Sequence, residues 1–185
     1  WSESSAVTFA NSVIGAKTNR EGGTSALAAA FVGKTPCYGL HLDHNRMPDI
    51  HVHVAAKLRK FSDWGALGYC VGKKAENKIP YITGIDDVNL DELKSFCASV
   101  VTYGAKPLFY MSGITPGSNN YRAPKRKVTI GYKEIKEAYK NINDDFRTVD
   151  LVCIGCPHCS INEIAEIAGL LKNREISPKT EFWVA

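Results

Sequence analysis

Three cysteines at regular spacing are the residues of this chain best suited to chemistry. Cys153, Cys156 and Cys159 lie in the run Asp-Leu-Val-Cys-Ile-Gly-Cys-Pro-His-Cys-Ser-Ile-Asn-Glu, residues 150 to 163. A helix N-terminus close to such thiols lowers their pKa and favours the thiolate that binds metal. The C-x2-C-x2-C spacing also opens the pattern used for iron–sulfur ligation, although the fourth cysteine and its proline are absent. The run therefore indicates metal or cluster ligation, or else small apolar thiols packed at a crowded turn.

The residues on either side of the cysteines predict a strand that turns into a helix. Leu151 to Ile154 is short and wholly apolar, which is typical of a buried strand. Ser160 and Glu163 form a Ser-x-x-Glu capping box, and apolar residues then recur at helical spacing. The cysteine turn thus follows the carboxyl end of a strand, where open α/β sheets bind their ligands.

Helices and strands alternate along the rest of the chain. Helices are predicted at 6–14, 24–32, 63–75, 89–103, 132–141 and 160–172, and strands at 49–55, 79–85, 106–114, 128–130, 151–154 and 181–184. This order predicts an α/β fold with mainly parallel sheets in two lobes. Gly, Pro and Asn cluster around residues 115 to 126. We therefore predict a first lobe at 1–115, a linker at 116–126 and a second α/β unit at 127–185 that carries the cysteine turn.

A polar, glycine-rich loop near the start is the second unusual stretch. It reads Ala-Asn-Ser-Val-Ile-Gly-Ala-Lys-Thr-Asn-Arg-Glu-Gly-Gly, residues 10 to 23, and lies between two predicted helices. Its donors are suited to gripping an anion, and its glycines let backbone approach a ligand closely. These donors are Asn11, Ser12, Thr18, Asn19 and Arg20. The alternative is a well-capped helix–loop–helix corner with a purely structural role.

Composition excludes several classes of protein. The 185 residues suffice for one good core or for two lobes of a larger body, and the net charge is only +4. The basic cluster Arg122 to Lys127 has no aromatic ladder or groove motif around it, so we expect a solvated loop and no nucleic-acid partner. No apolar run approaches the roughly 20 residues of a membrane span. Six cysteines without a small secreted framework indicate a reducing compartment, and we expect a cytoplasmic protein.

The two ends of the sequence suggest a piece of a longer polypeptide. The chain begins at Trp1 without an initiator methionine, and it stops at Ala185 inside a predicted core strand. An apolar strand end is a poor natural terminus. We expect an internal fragment, with a processed or trimmed chain as the alternative.

Four motifs carry a resemblance to a known family. They are Trp-Ser-Glu-Ser-Ser-Ala-Val (1 to 7), the glycine-rich loop (10 to 23), Tyr-Gly-Leu-His-Leu-Asp (38 to 43) and Gly-Cys-Pro-His (155 to 158). In this order, and along essentially the whole chain, the sequence resembles the catalytic large subunit of aconitase X. That family is an iron–sulfur hydro-lyase branch of the aconitase superfamily. The resemblance implies an aconitase-like fold and a dehydratase as the full-length parent.

The resemblance also implies a cofactor and a chemistry. A cluster with one iron open to substrate acts on the departing hydroxyl as a Lewis acid, while a base removes a proton from the neighbouring carbon. Cys156, in the Gly-Cys-Pro-His motif, is the implied cluster ligand, whereas Cys153 and Cys159 match no ligand position and become packing thiols. We expect a 4Fe–4S cluster, with a 2Fe–2S cluster as the alternative.

The resemblance assigns the substrate site to the two N-terminal motifs. Glu3 and Ser4 would contact substrate, although position alone favours a helix-dipole role for the glutamate. The polar loop would line the same pocket, with two cations suited to a carboxylate or phosphate. The predicted substrate-binding residues are Glu3, Ser4, Asn11, Ser12, Lys17 and Arg20. No residue is assigned as the catalytic acid or base.

Several family features are absent or altered. The other cluster cysteines are expected in a Cys-Thr-Pro-Tyr motif before Trp1 and an Asp-Thr-Cys motif beyond Ala185. Because one thiolate does not hold a cluster, we expect the chain alone to be inactive. His44 stands where the family pattern Leu-Asp-Glu-Asn-Arg has a glutamate. His51 and His53 share one face of a strand, and without a third ligand they indicate ordinary strand residues rather than a metal site.

The implied substrate is a small hydroxy acid. Lys17 and the surrounding sequence Ile-Gly-Ala-Lys-Thr-Asn, residues 14 to 19, favour the archaeal-type reaction. That reaction is the dehydration of 5-phosphomevalonate to its trans-anhydro product within isoprenoid synthesis. The alternative within the family is dehydration of cis-3-hydroxy-L-proline. The family also pairs this subunit with a small swivelling subunit. A different hypothesis makes the chain a non-catalytic metal-binding or iron–sulfur module that uses Cys153, Cys156 and Cys159 together.

Overall fold

Helices and strands alternate throughout the computed structural model, which describes residues 3–185 and the side chains of residues 5–185. The helices are α1 (Glu3–Phe9), α2 (Gly23–Val32), α3 (Phe61–Ala75), α4 (Leu90–Thr102), α5 (Tyr132–Ile142) and α6 (Ile161–Leu171). The strands are β1 (Ile50–Val54), β2 (Pro80–Thr83), β3 (Tyr110–Met111), β4 (Lys127–Ile130), β5 (Leu151–Ile154) and β6 (Glu181–Val184). A π-helical turn, Ala10–Ile14, continues α1. The predicted elements are present within a few residues of their expected bounds, except at β3.

The core is built on a four-stranded parallel sheet with the order β3-β2-β1-β4. Strand β1 lies between two neighbours, and its Val52 is paired with Ile82 on one side and Val128 on the other. Ile50, Val52 and Val54 are buried against the helices, because alternate side chains of a strand point to one face of the sheet. The predicted α/β class with parallel pairing is therefore confirmed.

Helices α3 and α4 pack closely because α3 presents glycines to α4. A Cβ on Gly68 would lie 2.6 Å from Ser99 Cβ, and one on Gly72 would lie 2.6 Å from the carbonyl oxygen of Val100. Ser99 Oγ also donates a hydrogen bond of 2.7 Å to the carbonyl oxygen of Gly65. The absence of side chains at two successive turns thus lets the two backbones approach one another. Helix α1 packs on the same helix, α4.

The sheet spans the segment that the sequence suggests as a linker. Strand β4 pairs with β1 in parallel, from His51 beside Lys127 to Val54 beside Ile130. Ile130 is fully buried in the same core as β1, and α5 packs on α3. The observed sheet therefore contains elements of both predicted units. The physical reason is that the apolar residues of β4 complete the hydrophobic face that β1 begins.

Strand β3 is much shorter than the predicted strand at residues 106–114. Pro107 has no backbone N–H, and the N–H of Phe109 is bonded to Ser12 Oγ at 2.9 Å instead of to a neighbouring strand. On the other side, Thr115 Oγ1 accepts the N–H of Met111 at 2.8 Å, which turns the chain. Side-chain oxygens thus satisfy the N–H groups of Phe109 and Met111 on the free edge of β3, while the N–H of Ser112 still donates to the Ile82 carbonyl oxygen of β2 at 2.9 Å.

The last segment forms a separate small sheet. Strands β5 and β6 pair in parallel, with Cys153 beside Trp183, and α6 connects them. Every residue from 141 to 185 is at least partly exposed. None of the helices in the described part of the chain is long and apolar enough to cross a membrane.

Replacing Gly72 with alanine tests the close approach of α3 and α4. Alanine has the higher helix propensity, yet its Cβ would meet the Val100 carbonyl, so we expect the free energy of unfolding to fall by about 1–3 kcal/mol. Gly65→Ala is the control in the same helix, since its nearest neighbour would be Ser95 Oγ at 3.5 Å. That change should raise stability by about 0.5–1 kcal/mol. Urea unfolding of both variants decides the matter, and equal midpoints would contradict the packing described.

Candidate functional site

The cysteine turn connects β5 to α6 as the sequence predicts. Ser160 is the N-cap of α6, and its Oγ accepts the N–H of Glu163 at 3.2 Å. The Glu163 carboxylate in turn accepts the N–H of Ser160 at 2.7 Å, which completes the capping box. Two helix donors are thereby satisfied next to the cysteines. The predicted strand-to-helix turn and its cap are confirmed.

Gly155 lets the turn lie against the end of β6. Its φ is +131°, and a Cβ at this position would lie 2.4 Å from the carbonyl oxygen of Ala185. The N–H of Ala185 donates to Ile154 at 3.0 Å, and the N–H of Cys159 donates to Ala185 at 2.7 Å. These bonds fix both ends of the turn, so the Cys156 backbone lies between two anchored points.

The three cysteines differ in their surroundings. Cys153 and Cys156 are exposed, whereas Cys159 is partly buried. Burial and the nearby Glu163 raise the pKa of Cys159, and Lys94 opposes them only in part. At Cys159 this direction is opposite to the lowering predicted from the sequence, because burial and the capping carboxylate favour the neutral thiol. Within the described residues, no group of three His, Cys, Asp or Glu side chains is arranged to hold a metal ion.

The polar loop after α1 is held by buried side chains that bond to backbone. Asn11 Nδ2 donates to the carbonyl oxygens of Thr18 and Pro107 at 3.1 and 3.0 Å, and its Oδ1 accepts the N–H of Thr18 at 2.9 Å. Ser12 is also buried and holds Phe109. Both side chains therefore tie the loop to the segment that leads into β3. Direct contact with substrate stays a prediction for them.

A second set of buried polar groups joins this loop to residues 38–46. Asn19 Oδ1 accepts the N–H of Leu40 at 2.6 Å, and Asn19 Nδ2 donates to Tyr38 at 3.0 Å. Arg46 is 5% exposed and donates to the carbonyl oxygens of Leu40, Ala16 and Asn11 at 3.0 to 3.4 Å. Arg46 is not among the residues predicted from the sequence. Its signal there is its place as the last residue of the Leu-Asp-His-Asn-Arg stretch, residues 42 to 46, which resembles the family pattern Leu-Asp-Glu-Asn-Arg.

The two predicted cations lie on the surface of the same loop. Lys17 and Arg20 are exposed, and Lys17 Nζ lies 2.5 Å from Asp43 Oδ1. The hydrogen bond and charge of Lys17 hold the pKa of Asp43 below its ordinary value. Lys17, Asp43 and Arg46 line a cavity of about 340 Å³ with Tyr110. Lys17 therefore lies at a cavity whose surrounding backbone is held by buried polar side chains.

The remaining predicted residues lie elsewhere or outside the described part. The side chains of Glu3 and Ser4, both predicted to bind substrate, lie outside the described part of the chain. Thr83 Oγ1 lies 2.8 Å from His51 Nε2 and 3.2 Å from His53 Nδ1. Burial, then Lys127 and His53, lower the pKa of His51. The two histidines share one face of β1 and bond to a strand neighbour.

One groove connects the two candidate regions. Phe9, at the end of α1, lines a cavity of about 310 Å³ together with residues 157–160 of the cysteine turn. Leu90, Asp91 and Lys94 of α4 form its other wall. Helix α1 leads directly into the polar loop, so the loop and the turn are supported by neighbouring elements.

Family models match the chain in three consecutive segments. The aconitase X first domain matches residues 1–44, the second domain matches residues 48–140, and the third domain matches residues 149–185. The chain belongs to the aconitase X family. The second segment ends after β4 and inside α5, which agrees with the membership of β4 in the four-stranded sheet. The cysteine turn lies in the third aconitase X domain, and the polar loop lies in the first.

Curated relatives and a solved structure agree with this assignment. The chain is 46% identical to the phosphomevalonate dehydratase large subunit of Methanocaldococcus jannaschii, over 100% of this chain and 48% of that protein. It is 34% identical to the cis-3-hydroxy-L-proline dehydratase of Pseudomonas aeruginosa, over 97% of this chain and 33% of that protein. The crystal structure of Thermococcus kodakaraensis aconitase X in its holo-form matches 98% of the chain and 47% of its own length, with a TM-score of 0.88 and 42% identity. The chain thus spans about half the length of the archaeal relatives it matches.

Thiol labelling of the metal-free protein tests the surroundings of the cysteines. Burial raises the pKa of Cys70 to about 11 and raises the pKa of Cys97 further, so both should resist iodoacetamide. Cys37, Cys153 and Cys156 are exposed and should be modified first. Peptide mass spectrometry over time reads each site. Modification of Cys97 as fast as Cys153 would contradict the burial described.

Replacing Arg46 with lysine tests the support of the polar loop. Lysine keeps the charge but lacks the planar fork that reaches three carbonyl oxygens, so we expect unfolding free energy to fall by about 1–3 kcal/mol. Arg59→Lys, at an exposed position, is the matched control and should change little. Urea unfolding measures both. A midpoint unchanged in Arg46→Lys would show that the buried guanidinium is dispensable.

Proposed function

We propose that this chain is part of a dehydratase that removes water from 5-phosphomevalonate to give trans-anhydromevalonate 5-phosphate. The observation that carries the proposal is 46% identity, along the whole chain, to a protein named as a phosphomevalonate dehydratase large subunit. Identity to the named hydroxyproline dehydratase is lower, at 34%. Both relatives are named dehydratases, so both support the reaction class, whereas only the first supports this substrate.

The cavity beside the polar loop supports an anionic substrate. Lys17 and Arg20 are exposed cations on a loop whose backbone is fixed by Asn11, Asn19 and Arg46. The Lys17–Asp43 pair is exposed, and such pairs contribute little net free energy. A phosphate or carboxylate therefore replaces Asp43 as the partner of Lys17 at small cost. We propose Lys17 and Arg20 as the anion-binding groups of the substrate site.

We further propose an iron–sulfur cluster, 4Fe–4S in preference to 2Fe–2S, that is completed by residues beyond this chain. The described residues offer no set of three metal-binding side chains, and Cys156 is exposed on an anchored turn. This arrangement fits one thiolate ligand and does not fit a complete site. Such a cluster supplies, when bound, Lewis acidity toward the departing hydroxyl. The chain's own contribution is to hold the Cys156 thiolate and to bind the substrate's anionic group.

A small partner subunit and a cytoplasmic location complete the proposal. The archaeal relatives are named large subunits, which supports a second, small subunit in the active enzyme. All six cysteines are free thiols, which supports a reducing compartment.

Two alternatives are separated by specific observations. A cis-3-hydroxy-L-proline dehydratase is supported by 34% identity over 97% of the chain. The local metal module requires the three cysteines to converge, and they form no such group within the described residues. The dehydratase remains the better supported function.

Cysteine substitutions in the full-length enzyme, with its small subunit, test the proposal. Cys156→Ser should lose bound iron and lower the dehydration of 5-phosphomevalonate at least about 100-fold, because a ligand is removed. Cys153→Ser removes an exposed thiol of β5, three residues earlier, and is the matched control that should keep both the iron and the activity. Iron content and product formation are measured for each. Equal damage from the two substitutions would favour the three-cysteine module, and turnover of cis-3-hydroxy-L-proline alone would replace the substrate.

A further inference from the structure

Lys94 is the polar link between helix α4 and the cysteine turn. Its ammonium donates to the carbonyl oxygen of His158 at 2.9 Å and forms a short ion pair with the Glu163 carboxylate. Asp91, one turn earlier on α4, lies 3.8 Å from the same ammonium. The Lys94 side chain is 14% exposed, so its charge lies largely out of water. Such a cation needs its partners, and it holds them in place.

The two partners of Lys94 lie on either side of the junction between the cysteine turn and α6. His158 follows Cys156 by two residues, and Glu163 lies in the first turn of α6. The same Glu163 carboxylate accepts the N–H of Ser160. One ammonium therefore ties the backbone after Cys156 and the start of α6 to the same point on α4.

The rest of the segment has few buried contacts that would replace this link. Residues 141–185 include none that is fully buried, whereas α4 is anchored in the core through Phe96 and Val100. The groove between them is lined by Phe9, Leu90 and Lys94 on one side and by Pro157 and Cys159 on the other. Within this chain, Lys94 thus supplies a direct polar link between the cysteine turn and α4.

We propose that Lys94 is a positioning residue for the cluster, because it sets where the Cys156 thiolate is presented. The inference rests on the proposed function, since it assumes that Cys156 is a ligand. Lys94 touches neither substrate nor cluster in this assignment. It acts through the backbone of His158 and the carboxylate of Glu163.

Iron retention in the full-length enzyme tests the proposal. Lys94→Met keeps the length and the apolar stem of the side chain and removes the ammonium. We expect iron loss to a chelator to be about 10- to 100-fold faster than in the wild type, since residues that orient a ligand have effects of this size. Lys106→Met, which removes an exposed partner of Asp49 in the same domain, is the matched control and should release iron at the wild-type rate.

Two further variants separate positioning from general stability. Lys94→Arg retains a donor for the His158 carbonyl and should recover most of the retention. Glu163→Gln keeps an acceptor for Ser160 but removes the charge partner, and it should shift iron loss in the same direction as Lys94→Met. This variant also serves if Lys94→Met does not fold. A purely structural role would lower the melting temperature while leaving the rate of iron loss from folded protein unchanged, and that result would overturn the proposal.

The outcomes also distinguish this inference from the function on which it rests. Wild-type enzyme that binds no iron, or that keeps its iron after Cys156→Ser, would overturn both. Wild-type enzyme that loses iron on Cys156→Ser, while Lys94→Met and Glu163→Gln retain it normally, would overturn the role of Lys94 alone.

Discussion

The close approach of α3 to α4 is the constraint on which the candidate site depends. Gly68 and Gly72 let the two backbones come within a distance that no side chain allows, and Phe96 then fills the core beneath them. Helix α1 packs on α4, and the N-terminal part of α4 carries Lys94. One helix therefore supports both the polar loop and the cysteine turn. A shift of α4 would move the two regions together, because close-packed interiors transmit displacement.

Buried side chains fix the backbone of the polar loop, and exposed cations project from it. Asn11, Asn19 and Arg46 are buried. Their side chains form hydrogen bonds with backbone groups that lie up to 96 residues away in the sequence. Their removal would leave buried polar groups unpaired, which is why such networks rigidify the segments they join. Lys17 and Arg20 then project from a fixed backbone. A ligand that meets ordered cations does not have to order the loop on binding, so less affinity is lost to conformational entropy.

Local patterns in the sequence predicted most of the elements, and long-range contacts explain the differences. The Ser160–Glu163 capping box is such a local signal, and it is present; Asn89 and Glu92 form a second capping box at the start of α4. The N–H of Phe109, next to the short β3, is satisfied by Ser12, which lies 97 residues away in the sequence. The raised pKa of Cys159 depends on burial and on the charge of Glu163, which only the folded turn brings close. The buried role of Arg46 needs three carbonyl oxygens that only the folded loops bring together.

The distribution of ligands over several segments has a thermodynamic consequence for the proposed cluster. A single thiolate on the cysteine turn can meet ligands from elsewhere only when the turn is docked in the right place. Cluster binding and docking of the turn are therefore thermodynamically linked, so that each makes the other more favourable by the same free energy. A cluster ligated across several segments then acts as a cross-link between them. On this view the cofactor contributes to the architecture of the enzyme as well as to its chemistry, and the ammonium of Lys94 lowers the cost of assembling the site before the cluster is present.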